Sequence, residues 1–203
     1  MTAETFLNDA KEIENEITEN RRFLHSHAET GFELTQTVAF VKEKLKEIGC
    51  ECADCGKGGV VALVGKGESD CVFLLRADMD ALPIKEKSDL GFSCDTGNMH
   101  ACGHDMHTAM LLGAAKILKK HESEIKGTVK LMFQPAEETL SGAKNMIENG
   151  VLKNVSTIFN ARPAPRTLAP IASMLALLCR RVSCADSRSR HRAQRMPCTL
   201  LAE

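Results

Sequence analysis

Two short, almost continuous apolar runs constrain the fold of this 203-residue chain more than any other feature. Residues 71–77 and 128–133 have the length and composition of strands that are buried on both faces. Between them, residues 101–120 carry apolar side chains at helical spacing. Buried strands that alternate with helices predict an α/β fold, with a largely parallel sheet flanked by helices.

Weaker patterns extend this alternation towards both ends of the chain. Residues 5–27 and 34–48 show apolar residues at helical spacing, and Gly49 is a typical helix terminator. The glycine-rich residues 56–59 are typical of a hairpin turn rather than a phosphate-binding loop, because no helix follows them directly. The two strands of that hairpin, a later helix and a last strand are predicted over residues 50–55, 60–64, 141–149 and 155–159.

Three polar groups lie where the buried strands end or where the helix between them begins: Asp78 with Asp80, Cys102 with His104, and Glu137 with Glu138. In open α/β sheets, functional sites gather at the carboxyl ends of the strands. Thiolate, imidazole and carboxylate ligands together suit Zn²⁺, Mn²⁺, Co²⁺ or Ni²⁺. Of two neighbouring glutamates, one can bind a metal while the other takes a proton from water. The pattern therefore indicates a metallohydrolase centre.

The sequence leaves a structural interpretation open for each group. Asp78 and Asp80 could cap a turn or a helix, and the two glutamates could be a solvated pair on the surface. His100 and His107 could be hydrogen-bonded residues at the start of a helix. The cysteines at 50, 52 and 55 are interpreted as buried or half-buried thiols, because no second cysteine pair completes a zinc knuckle.

Composition argues against several other classes of protein. The net charge of −1 and the aromatic content of 4%, with no Trp and no Tyr, predict no nucleic-acid partner. The apolar run at residues 171–178 is too short to span a bilayer, so no membrane association is expected. Nine cysteines, an odd number, and an acidic first segment without a signal-peptide pattern indicate free thiols and a cytoplasmic location.

Four ordered motifs resemble those of the M20 metallopeptidases, in the branch of N-acyl amino acid amidohydrolases that are aminoacylase-like, hippurate hydrolase-like and auxin-conjugate hydrolase-like. The motifs lie at Arg21–His25 with Glu29–Glu33, at Arg76–Ile84, at His100–His107 and at Phe133–Glu138. The resemblance implies the α/β catalytic domain of the zinc-dependent exopeptidases. It also implies a centre with two divalent cations (Zn, Mn, Co or Ni), a small N-acyl amino acid as substrate, and a homodimer.

Residue by residue, the resemblance implies that Cys102, His104 and Glu138 are metal ligands. Glu137 would be the general base that takes a proton from the attacking water and passes it to the leaving amine. Asp80 would orient or support the centre. His100, Asp105 and His107 lie within the motifs, without an assigned role.

The chain departs from the family pattern at Arg162, which stands where the family has a metal-binding histidine. A guanidinium group cannot bind a metal. From about residue 161 the chain is an Arg-rich tail, with eight Arg and no Lys in residues 162–203. Our hypothesis is that residues 161–203 are read from a shifted frame. One of the other two frames of the nucleotide sequence should then encode the histidine. If neither frame does, the tail is genuine protein.

These observations predict that residues 1–160 are the N-terminal segment of a metallohydrolase catalytic domain. The family's lid or dimerisation domain and its second catalytic segment are expected to be absent. Two functions follow as expectations. The first is metal-dependent hydrolysis of N-acyl amino acids, and the second is an inactive truncated fragment that binds at most one metal ion weakly.

Overall fold

A computed structural model describes residues 2–160 as an α/β layer. The helices are α1 (Ala3–Glu12), α2 (Glu14–Ser26), α3 (Thr35–Ile48), α4 (His104–Lys120) and α5 (Gly142–Glu148). The strands are β1 (Cys52–Asp54), β2 (Val60–Val64), β3 (Val72–Asp78), β4 (Thr128–Gln134) and β5 (Thr157–Asn160). A 3-10 turn at Glu122–Glu124 follows α4. The α/β class predicted from the sequence is confirmed.

The five strands form one mixed sheet in the order β1-β2-β4-β3-β5. Strand β3 runs parallel to both of its neighbours, β4 and β5. The β1–β2 and β2–β4 pairs are antiparallel. The sequence predicts a largely parallel sheet, but only β4, β3 and β5 run parallel to one another. The two strands of the glycine-rich hairpin, β1 and β2, extend one edge of the sheet through antiparallel pairings.

The main core lies between the sheet and helices α1, α3 and α4. Alternate residues of β4, Val129, Leu131 and Phe133, face this core and are almost completely buried. Helix α4 contributes an almost continuous apolar surface, as its sequence predicts. A smaller core on the other face of the sheet lies under α5 and includes Leu74, Met132 and Met146.

The first helical segment is two helices rather than the single helix predicted over residues 5–27. Ile13 separates α1 from α2 and has non-helical dihedral angles (φ −103°, ψ 9°). The apolar residues on either side of this break keep the same spacing, with Phe6, Ile17 and Leu24 all buried. Periodicity alone therefore could not reveal the interruption.

Residues 79–103 connect β3 to α4 without regular secondary structure. Isolated bridges pair Thr30 with Ala81 and Leu82 with Met99, and they hold this connection against the end of the sheet. Gly103 then turns the chain with φ 82°, so that α4 begins at His104. None of the helices within residues 2–160 is long and apolar enough to cross a membrane.

Candidate metal centre

The candidate site lies at the carboxyl ends of β3 and β4. Because these strands are parallel neighbours, the segments that follow them leave the sheet at the same edge. Asp80 comes two residues after β3, and Glu137 and Glu138 come shortly after β4. The first residue of α4, His104, lies against the same edge through its contacts with Asp80.

Asp80 is completely buried and fixes the loop that carries the two glutamates. One carboxylate oxygen of Asp80 accepts the backbone N–H of Glu137 at 3.0 Å, and the other accepts that of Glu138 at 3.1 Å. Ala136, just before them, has a left-handed backbone with φ 51°. Hydrogen bonds from two backbone donors to one carboxylate are strong, so they define the position of both glutamates.

Asp80 also orients His104. The Nδ1 atom of His104 lies 2.8 Å from the backbone carbonyl of Asp80. A carbonyl can only accept, so Nδ1 carries the hydrogen and Nε2 faces the glutamates. Burial disfavours the protonated ring, but hydrogen bonds to Asp80 outweigh it and raise the pKa of His104. A histidine whose second nitrogen donates to a carbonyl is the usual arrangement for a metal ligand.

The metal-facing cluster consists of His104, Glu137 and Glu138. The Nε2 atom of His104 lies 3.9 Å from Oε2 of Glu137 and 3.9 Å from Oε1 of Glu138, too far for hydrogen bonds. One potential ligand atom from each residue lies within 4.8 Å of the others. Zinc ligands lie roughly 2.0–2.2 Å from the ion, so two ligands of one ion are separated by roughly 3–4 Å.

Oε1 of Glu138 supports the interpretation of the cluster as a cation site, because this oxygen is buried and has no hydrogen-bond partner among the described residues. An uncompensated buried carboxylate oxygen is costly, and a cation would compensate it. The donor set of the cluster therefore fits a divalent cation.

Cys102 lies beside this cluster and is exposed. The side chain of Glu138 beside the thiol raises the pKa of Cys102 to about 11, and partial burial and the carboxylates of Glu137 and Asp80 act in the same direction. A nearby cation would reverse this tendency, because metals bind the thiolate. The structure thus brings together Asp80, Cys102, His104, Glu137 and Glu138.

Asp78, His104 and His107 form a second group whose potential ligand atoms lie within 4.8 Å of one another. The Nδ1 atom of His107 is 3.4 Å from Oδ2 of Asp78. Asp78, however, already forms an ion pair with Arg76, and its backbone carbonyl accepts the hydroxyl of Thr108. A guanidinium beside this carboxylate would repel a further cation, so we interpret the group as structural support for His104.

Sequence reasoning missed a buried charge network beside the centre, although three of its four residues, Arg21, His25 and Asp105, lie in the recognised motifs. Asp105, directly after His104, contacts His25 and Arg21 of α2, and His25 also contacts Glu86. The available signal was the four-residue spacing of Arg21 and His25, which places both side chains on one face of α2. His100 lies nearby, and burial lowers its pKa to about 4.

The remaining cysteines of the described chain are free thiols. Cys50 and Cys55 are buried, and Cys52 is half-buried. Burial raises the pKa of Cys50 to about 11. The burial of these three cysteines agrees with the prediction of buried or half-buried thiols. Arg162 and the Arg-rich tail lie outside the described residues.

This fold and these side chains define an α/β protein with metal-binding residues at the carboxyl edge of its sheet. The sequence profile of peptidase family M20/M25/M40 matches residues 74–173. The match therefore runs beyond residue 160, and includes the position of Arg162. The chain belongs to the M20 family, as the motifs predicted, and it corresponds to the N-terminal part of that family's proteins.

Curated relatives of known sequence agree with this assignment. The chain is 50% identical over 141 residues to IAA-amino acid hydrolase ILR1-like 5 of Arabidopsis thaliana, which covers 68% of this chain and 32% of the relative. It is 42% identical over 158 residues to N-acetylcysteine deacetylase of Bacillus subtilis (strain 168), covering 76% and 42%, respectively. The chain thus spans less than half the length of these relatives.

A solved structure shows the same architecture. The Bacillus subtilis YXEP protein, described as a dinuclear metal-binding peptidase from the M20 family, superposes with a TM-score of 0.73 at 42% sequence identity. The superposition covers 76% of this chain and 44% of that one. The α/β layer described above is therefore part of the M20 catalytic fold.

Proposed function

We propose that residues 1–160 are the N-terminal segment of a catalytic domain that hydrolyses the amide bond of N-acyl amino acids with divalent metal ions. The observation that carries this proposal is the metal-facing cluster, in which His104, Glu137 and Glu138 converge at spacings that suit a cation. The names of the two relatives support the substrate class, since they describe hydrolysis of IAA–amino acid conjugates and deacetylation of N-acetylcysteine.

Each residue has a role in this proposal. Cys102, His104 and Glu138 hold metal, and Asp80 positions His104 and the two glutamates through its hydrogen bonds. A bound divalent cation polarises the scissile carbonyl and lowers the pKa of water. Glu137, more exposed than Glu138, takes the proton from the attacking water and delivers it to the leaving amine nitrogen.

Glu137→Gln tests the proposed base. Glutamine keeps the shape but cannot take a proton, so hydrolysis of N-acetyl and N-benzoyl amino acids should fall about 10²–10⁴-fold. The metal content should remain unchanged, because Glu138 and not Glu137 is the proposed ligand. The assay follows release of the free amino acid after reconstitution of the chelated protein with Zn²⁺, Mn²⁺, Co²⁺ or Ni²⁺.

Glu148→Gln, on the exposed face of α5, is the matched control and should leave the rate unchanged. Hydrolysis that survives Glu137→Gln at the original rate would exclude Glu137 as the base.

A second candidate function is metal binding without hydrolysis. Arg162, at the position of a family ligand, favours this candidate because it cannot replace a histidine as a ligand. The same assay separates the two functions. If the chain binds at most one metal ion and hydrolyses no substrate with any of the four metals, its function is metal binding without hydrolysis.

A further inference from the structure

The charge clamp is a buried group formed by Arg21, His25, Glu86 and Asp105, outside the metal-facing cluster. The Nδ1 atom of His25 lies 2.8 Å from Oδ2 of Asp105, and its Nε2 atom lies 3.1 Å from Oε1 of Glu86. The side chains of His25, Glu86 and Asp105 are each at most 4% exposed. Nε of Arg21 also contacts Oδ2 of Asp105, at 2.7 Å.

These contacts constrain the protons on His25. An ionised carboxylate can only accept hydrogen bonds, so each nitrogen that faces one must carry a hydrogen. Burial by itself would raise the pKa of Glu86, but hydrogen bonds from Ser88, His25 and the Cys94 backbone lower it to about 2. Oδ2 of Asp105 lies 2.7 Å from Nε of Arg21 as well as 2.8 Å from Nδ1 of His25, so two nitrogens lie within hydrogen-bond distance of the same carboxylate oxygen.

The charges of the clamp balance when His25 is positive, since two cations then face two anions. His100 is the next titratable group, with its ring 6.3 Å from that of His25. His100 is buried, and neither of its ring nitrogens has a hydrogen-bond partner among the described residues. Arg21 and Arg22 both lie over the ring of Phe92, which makes a T-shaped contact with the ring of His25.

We propose that His25 is an imidazolium with hydrogens on both nitrogens, and that it acts as a positioning residue for His104 by fixing Asp105 beside it. The effect on metal binding rests on the proposed function, whereas the protonation of His25 does not. The clamp joins three segments of the chain: α2 through His25, the connection 79–103 through Glu86, and the first turn of α4 through Asp105.

The packing around the clamp leaves little freedom for its parts to separate. Gly113 of α4 lies so close to α2 that an added Cβ would be 2.8 Å from the side chain of Ile17. One oxygen of Glu86 also accepts the backbone N–H of Cys94 at 2.8 Å. This hydrogen bond joins two parts of the connection 79–103. A change at His25 is therefore transmitted to the start of α4, where His104 follows Gly103.

Nitrogen NMR of the full chain labelled with ¹⁵N-histidine tests the protonation directly. His25 is assigned from the signal that disappears in His25→Gln. We expect two proton-bearing ring nitrogens for His25 at neutral pH, in the metal-free protein. A spectrum with one bare nitrogen would overturn the proposal, since one carboxyl group would then hold the proton. This outcome is independent of any hydrolytic activity.

Metal affinity tests the positioning role. His25→Gln removes the charge and places an amide oxygen opposite one of the two carboxylates. The Kd for Zn²⁺ should therefore rise about 10–100-fold. Competition with a chelating dye measures this Kd. His25→Lys keeps a cation with several donors and should recover most of that loss. His27→Gln is the matched control, because the His27 ring bonds to the backbone carbonyl of Phe23 rather than to the clamp.

Equal losses in His25→Gln and His25→Lys, or no loss in either, would contradict the positioning role of the charge. Circular dichroism identifies a variant that does not fold. In that case the NMR result on the unchanged chain decides the proposal.

Discussion

The metal-facing cluster and the charge clamp both place a buried histidine between two carboxylates, yet their spacings differ. His104 lies 3.9 Å from each of its glutamates, whereas His25 lies 2.8 and 3.1 Å from its two partners. The shorter distances are those of direct hydrogen bonds, and the longer ones suit atoms that share an ion. Spacing thus distinguishes His25, which is within hydrogen-bond distance of its carboxylates, from His104, the proposed metal ligand.

The two groups also differ in how their charge is balanced. Arg21 and His25 supply two cations to the clamp. In the described part of the chain, by contrast, the ion pairs of Glu137 and Glu138 involve only His104. Buried carboxylates need a compensating charge, which the clamp obtains from its own side chains, whereas the metal-facing cluster has only His104. The clamp should therefore determine stability, and the cluster should respond to metal.

Asp105→Ala should have the largest effect on stability. Arg21 and His25 would lose their shared acceptor in a buried site, which lowers the free energy of unfolding by about 3–5 kcal/mol. Urea denaturation measures this change. Asp95→Ala, at an exposed position of the connection, should change it by less than about 0.5 kcal/mol. A loss below about 1 kcal/mol for Asp105→Ala would place the clamp among ordinary surface ion pairs.

Zn²⁺ should stabilise the protein through the metal-facing cluster. At a free concentration 100 times the Kd, binding to the folded state alone raises the free energy of unfolding by about 2.7 kcal/mol. His104→Ala should abolish this increase, and Glu148→Gln should retain it. Paired urea titrations with Zn²⁺ and with a chelator provide the measurement. If the increase persists in His104→Ala, the ion binds elsewhere.

Acid should weaken the clamp through Glu86. The change in the free energy of unfolding per pH unit should be smaller than the two changes predicted above. The pKa of Glu86 is about 2 in the folded protein and 4.5 for an unperturbed glutamate. As the pH falls between these values, the unfolded state binds the proton first. Stability from Glu86 is therefore complete above about pH 4.5 and is lost towards pH 2, by at most about 1.4 kcal/mol per pH unit.

Urea titrations at stepped pH values test this prediction in Glu86→Gln, which should lose that part of the slope. Glu19→Gln, an exposed change on α2, should keep it. An unchanged slope in Glu86→Gln would show that other carboxyl groups control acid unfolding.

Local patterns predicted most of the fold, since the apolar runs located β3, β4 and α4 to within a few residues. They did not predict the pairing of β2 with β4, because strand order depends on contacts between distant segments. Strand ends likewise indicated where Asp80 and the two glutamates would lie. The partnership of His25 with Glu86 could not be derived, since 61 residues separate them and Glu86 lies in a connection without periodicity.

Gly142, at the start of α5, makes the loop of Glu137 and Glu138 sensitive to a position that carries no functional atom. Its N–H bonds to the backbone carbonyl of Ala136, and an added Cβ would run into the carbonyl oxygen of Pro135. A side chain at this position would push apart the two ends of the loop. In a mutational scan for function, residue 142 should therefore be as intolerant of substitution as a metal ligand, although it binds nothing.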